Sequence, residues 1–130
     1  MKEIDILDLG IIPTDLLGDL HIKTIILVYE YPRCFIAKND SGNLYALLEN
    51  QDGEDDFGWN VTEINIEDLK CVNRGQKNIQ SLFLDKKSYL LQFKSNSDVG
   101  KVIQVNEFSG KYSIEGNMIV KNFLRHIDLY

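Results

Sequence analysis

Between Glu49 and Asp68 stand eight carboxylates, Glu49, Asp52, Glu54, Asp55, Asp56, Glu63, Glu67 and Asp68, with no lysine or arginine among them. Oxygen-rich runs of this kind can do two things: hold a hard cation or present a negative field to a basic partner. The calcium option is tested by spacing. Asp52, Glu54 and Asp56 alternate, and Glu63 falls at the twelfth position, where a bidentate carboxylate closes a calcium loop. The sixth position is Phe57, however, where the sharp turn of such a loop demands glycine. No tight calcium site is therefore expected; the run reads as a solvated acidic hairpin or, through Asp52, Glu54, Asp55, Asp56 and Glu63, as a docking surface for a basic partner. Trp59, the single tryptophan, follows the acidic run directly. A lone tryptophan more often anchors a core; the alternative, which groups Trp59 with these acids, is an aromatic anchor at the interface edge.

Other chemistry finds little material. Cys34 and Cys71 lie far apart among apolar neighbours and form no Cys-x-x-Cys pair, so reduced, buried thiols are expected. His21 and His126 are isolated, which leaves no zinc spacing. The chain carries no Gly-x-Ser-x-Gly elbow, no phosphate-binding loop and no dinucleotide fingerprint. Carboxylates abound, yet no pair is singled out for acid–base work. The expectation is a protein that is not an enzyme and uses no metal or cofactor; a small hydrolase without a recognisable motif is the third alternative.

Charge narrows the partner. The chain has 14 basic and 20 acidic residues in 130, a net charge of −6. The asymmetry is stronger than the sum, since residues 1–68 carry 4 basic and 15 acidic side chains and residues 69–130 carry 10 and 5. An acidic domain repels nucleic acid, whose binding rests on cationic contacts to phosphate, and attracts a basic protein. Binding of nucleic acid through Lys70, Arg74, Lys77, Lys86 and Lys87 is the runner-up reading. The hydrophobic fraction of 44% suits one folded domain over residues 1–130. No run reaches the length of a membrane helix, and acids stand where a signal peptide would be basic, so a cytoplasmic location is expected. Without export, the glycosylation tripeptides at Asn39 and Asn60 are chance matches.

The elements that must position these residues are mostly strands. Residues 1–19 show no sustained period, and Pro13 excludes a long helix there. Residues 20–31 are rich in β-branched side chains and predict a strand ended by Pro32. Residues 33–38 and 43–49 flank Asn39-Asp40-Ser41-Gly42 and predict a hairpin, with Phe35, Ala37, Leu44 and Ala46 at period-two positions. A third strand over 59–64 completes a meander. Ile66, Leu69 and Val72 then predict a helix that stops at Gly75, and Ile79, Leu82 and Phe83 a second short one over 78–84. Residues 89–93, 102–105 and 119–120 read as further strands, and 121–130 as a closing strand or helix. The fold class expected is α+β, a mainly antiparallel sheet with one or two short helices packed on one face.

Gly18-Asp19-Leu20-His21-Ile22 through Val28-Tyr29-Glu30-Tyr31, then Pro32-Arg33-Cys34-Phe35 and Asn39 to Tyr45, carry a resemblance. Over about residues 18–85 the chain resembles a family of small bacterial domains of unknown function. The resemblance implies a Tyr-Glu-Tyr strand, a Pro-Arg-x-Phe strand, an acidic turn, a tryptophan strand and a short helical stretch, and it implies no activity. In bulk properties alone the chain is similar to immunity proteins and antitoxins that cap basic nuclease toxins. The function expected is an acidic protein-binding module that masks or recruits a basic partner, a toxin or nuclease in bacterial defence or competition.

Overall fold

The computed structural model describes residues 10–29, 31–50, 57–84, 86–93, 99–105 and 119. Among the described residues seven strands follow one another in space as they do in sequence, each antiparallel to the next. They are β1 (Ile11–Pro13), β2 (Asp19–Tyr29), β3 (Tyr31–Lys38), β4 (Leu44–Asn50), β5 (Phe57–Ile64), β6 (Ser88–Phe93) and β7 (Lys101–Val105). One α-helix, α1 (Ile66–Asn73), and a 3-10 turn, Ile79–Leu82, lie between β5 and β6. The fold is thus mostly β, with the antiparallel sheet and short helices that the sequence predicts.

Register explains how the sheet curls. The β2–β3 ladder shifts at three places, Ile22/Thr24, Ile25/Leu27 and Leu27/Val28. Each irregularity bends the strand and increases its twist. The sheet coils into a half-barrel whose two edges touch at one seam. There Thr14 bridges Gly100 in parallel. The Gly100 N–H donates to the Pro13 carbonyl at 2.8 Å, and the Asp15 N–H donates to the Gly100 carbonyl at 3.0 Å. The Val102 N–H adds a bond to Asp15 Oδ1 at 2.9 Å.

Curling creates an inside and an outside, and both are apolar. Ile12, Leu20, Phe35, Ala37, Tyr45, Leu47, Trp59, Val61, Leu91, Phe93 and Val102 fill the concave face. On the convex face, Ile26, Cys34, Ile36, Ala46 and Leu48 pack under Leu69 and Val72 of α1 and under Ile79, Leu82 and Phe83 of the 3-10 turn. Cys34 to Ala37 and Tyr45 to Leu48 are consequently buried at every position. Strands covered on both faces read as continuous apolar runs.

Several expectations meet corrections here. The hairpin forms, with Cys34 opposite Leu48 and Lys38 opposite Leu44. Its period-two set divides: Phe35 and Ala37 face inward, whereas Leu44 and Ala46 face outward. Pro32 does not end a strand but lies inside β3, opposite Val28 and beside a register shift. A proline near a strand end or bulge forfeits no needed ladder bond. Residues before Leu20 hold β1, a strand too short to show a period, with Pro13 as its last residue. The second helix is a single 3-10 turn. The expected elements at 119–120 and 121–130 lie outside the described residues except for Ile119, which is in no strand.

Candidate functional site

The acidic run leaves the sheet at one of its ends. Asn50 pairs with Gly58, so Asp52, Glu54, Asp55 and Asp56 belong to the connection between β4 and β5. These four residues lie outside the described ones. The flanks of the segment are strands, not the helices that bracket a calcium-binding hand. Among the described residues no group of three or more His, Cys, Asp or Glu side chains is placed to hold a metal ion.

The remaining two expected docking residues sit elsewhere. Trp59 is 1% exposed. Its ring meets Phe35 edge-on, with centroids 5.0 Å apart and planes at 68°. That geometry suits the quadrupoles of two aromatic rings. An indole so enclosed offers no face to a partner, and Trp59 acts as the core anchor that holds β5 against β3 and β4. Glu63 is exposed, but it stands six residues along β5 from Phe57, about 20 Å at the rise of an extended strand. Of the six expected docking residues, Trp59 is thus a core residue and Glu63 an exposed one at the far end of β5 from Phe57, while the other four lie outside the described residues.

What surrounds Glu63 is a second polar cluster at the opposite end of the half-barrel. Glu63 pairs across the ladder with Tyr45. Thr62 pairs with Ser88 in the last β5–β6 pair, so Glu63 and Lys87 are the next residues beyond it on either side. The Thr62 hydroxyl donates to the Lys87 carbonyl at 2.8 Å and fixes the backbone there. Burial raises the Tyr45 phenol above its ordinary pKa; a hydrogen bond with the Asn43 side chain pulls it down, while the charges of Glu63 and Tyr89 push it up. Together Glu63, Ile64, Asn65, Lys86, Lys87 and Tyr89 line a groove of about 510 Å³. This grouping escapes the sequence reading because it depends on register between strands 25 residues apart; the alternation of Glu63 and Lys87 about their turns carries no motif.

The helical connection organises one wall of that groove. The Asn65 side chain caps α1 by accepting the Asp68 N–H at 2.9 Å. Capping by asparagine satisfies one of the orphan donors of the first turn. Lys86 forms an ion pair with Asp68, so the first turn of α1 is tied to the entry of β6. Lys70 lies 3.7 Å from Glu67. Two of the five cations expected to contact nucleic acid are thus matched by carboxylates of α1, and Arg74, Lys77 and Lys87 are exposed.

The two cysteines and His21 stand in different surroundings. Cys34 is fully buried in the outer core, and burial pushes its thiol far above the ordinary value. Thiolate, the reactive form, is suppressed there. Cys71 is half-buried on α1. His21 Nε2 contacts Asp40 Oδ1 at 2.9 Å on the hairpin surface. Among the described residues no helix is long and apolar enough to cross a membrane.

Residues 10–119 match a family model described as a family of unknown function (DUF6575), and the chain belongs to that family. The match starts before Gly18 and runs past residue 85 into the C-terminal third, further than the resemblance read from the strand motifs. No curated protein and no solved structure matches the chain.

Proposed function

We propose that this member of a family of unknown function is a non-enzymatic module that docks a basic protein through the acidic connection between β4 and β5. The supporting observation is the β4–β5 register. Because Asn50 stands opposite Gly58, four carboxylates are gathered into the short segment joining two strand ends. No lysine or arginine interrupts that segment. Concentrated like charge on a strand connection steers a cationic partner over a Debye length of about 8 Å at physiological ionic strength. Both packed faces of the sheet stabilise β4 and β5 independently of that charge, so the connection is free to serve recognition.

The finer reading is that the partner is a basic toxin or nuclease masked by this chain, in bacterial defence or competition, within the cytoplasm. Masking needs charge complementarity and a stable scaffold, not a reactive group, which accords with a thiol sealed under α1. The test is co-expression of the chain with basic toxin-like proteins encoded beside it. Rescue of growth by the wild type, lost when Asp52, Glu54, Asp55 and Asp56 are changed together to Asn or Gln, is the expected outcome. Rescue that survives the change would remove the acidic connection from the mechanism.

A further inference from the structure

The groove at the β5–α1–β6 corner carries charges of both signs that do not satisfy each other. Glu63 and Lys87 line the groove one step beyond the last β5–β6 pair, are exposed, and form no ion pair together. Their neighbours, by contrast, are fixed. Lys86 is held by Asp68, and Asn65 is held as the cap of α1, its side-chain oxygen already occupied by the Asp68 N–H. The Asn65 amide group is left to donate outward. Tyr89, half-buried on β6, supplies an aromatic wall, and Ile64 an apolar one. A volume of about 510 Å³ falls within the range of small-molecule sites, about 300–1,000 Å³.

We propose that this groove binds a small zwitterion of the amino-acid class. The ammonium of the ligand pairs with Glu63, and its carboxylate with Lys87 and the Asn65 amide. Charge-assisted hydrogen bonds of this kind are roughly twice as strong as neutral ones. The carbon skeleton lies along the Tyr89 ring, whose face also attracts the ammonium. A ligand of a single charge is opposed here. An anion meets Glu63, and a cation meets Lys87. Only a molecule with both charges satisfies both walls, and the fixed positions of Lys86 and Asn65 lower the ordering cost of binding. The site is independent of the acidic connection, which leaves β5 at its other end.

Titration of the full chain with 4-aminobutyrate and with L-leucine, followed by backbone and tyrosine NMR signals, tests this directly. The expected result is saturable shifts confined to residues 63–65 and 86–89 with at least one of the two. Butyrate and butylamine, each keeping one charge, bind about tenfold more weakly or worse, the loss of one charge-assisted hydrogen bond. Glu63→Gln and Lys87→Gln each weaken the zwitterion by about tenfold, and unchanged thermal melting of both variants shows that the fold is intact. The proposal is overturned if neither zwitterion shifts the groove signals, if butyrate or butylamine binds as well as the zwitterion, or if either variant keeps full affinity.

Discussion

Gly100 shows how one residue governs closure of the sheet. A Cβ placed there would press on Leu91 Cδ1 and come within 2.9 Å of Phe93 Cζ. Leu91 and Phe93 are buried in the inner core and have little room to retreat. Gly100→Ala is accordingly expected to destabilise the protein by about 1–3 kcal/mol, the usual cost of overpacking. Denaturant unfolding measures it, and a loss below about 0.5 kcal/mol, the range of an ordinary surface change, would contradict the packed seam. Tyr45 gives a second residue-scale prediction. Its folded pKa lies above the ordinary 10.0, chiefly through burial. The folded chain then holds its phenolic proton more tightly than the unfolded chain. Its contribution is therefore complete below the unfolded pKa and is lost as pH rises through the folded one. Stability is expected to decline above about pH 10, more steeply in the wild type than in Tyr45→Phe, as unfolding curves across that range will register. Equal slopes would mean that the Tyr45 phenol ionises as easily folded as unfolded.

At the scale of elements, α1 is a short helix whose formation rests on its ends and its buried face. Asn65 caps it, Gly75 adopts a φ of 76° just past it, and Leu69 and Val72 seat it on the outer core. Asn65→Ala is expected to cost about 1 kcal/mol through the lost cap, with Asn65→Ser nearly neutral. Thermal melts of the two variants separate a cap from a mere surface position, because only a cap distinguishes serine from alanine. These features were legible in sequence: the Ile66, Leu69, Val72 stripe and Gly75 point to the same boundaries. The β3–β4 hairpin was legible too, since Asn39 to Gly42 demand a turn, and Gly42 takes a φ of 91°. What was not legible is which face each strand presents. Where Cys34 to Ala37 and Tyr45 to Leu48 are buried throughout, alternation disappears, and faces are settled by tertiary partners. Strand β1 was invisible for a different reason. Three residues cannot show a period, and its place depends on Gly100, 86 residues after Thr14.

The whole molecule separates two kinds of surface along β5. One end gives rise to the acidic connection; the other leads to α1, Lys86 and Lys87. The sequence showed the charge split between its halves, but only the fold shows that Glu63 and Lys87 line one groove. Trp59, next to the acids in sequence, belongs to the core that both surfaces share. Docking by the acidic end alone has a kinetic signature, because long-range attraction acts on the encounter more than on the final contacts. The most direct measurement is the association rate of the cognate basic partner at two salt concentrations, for the wild type and for the variant with Asp52, Glu54, Asp55 and Asp56 changed to Asn or Gln. The wild-type rate should fall as salt rises, and the variant should bind more slowly with a flatter dependence, while its stability changes by no more than about 0.5 kcal/mol. Equal rates and equal salt slopes for the two proteins would contradict the acidic connection as the docking surface.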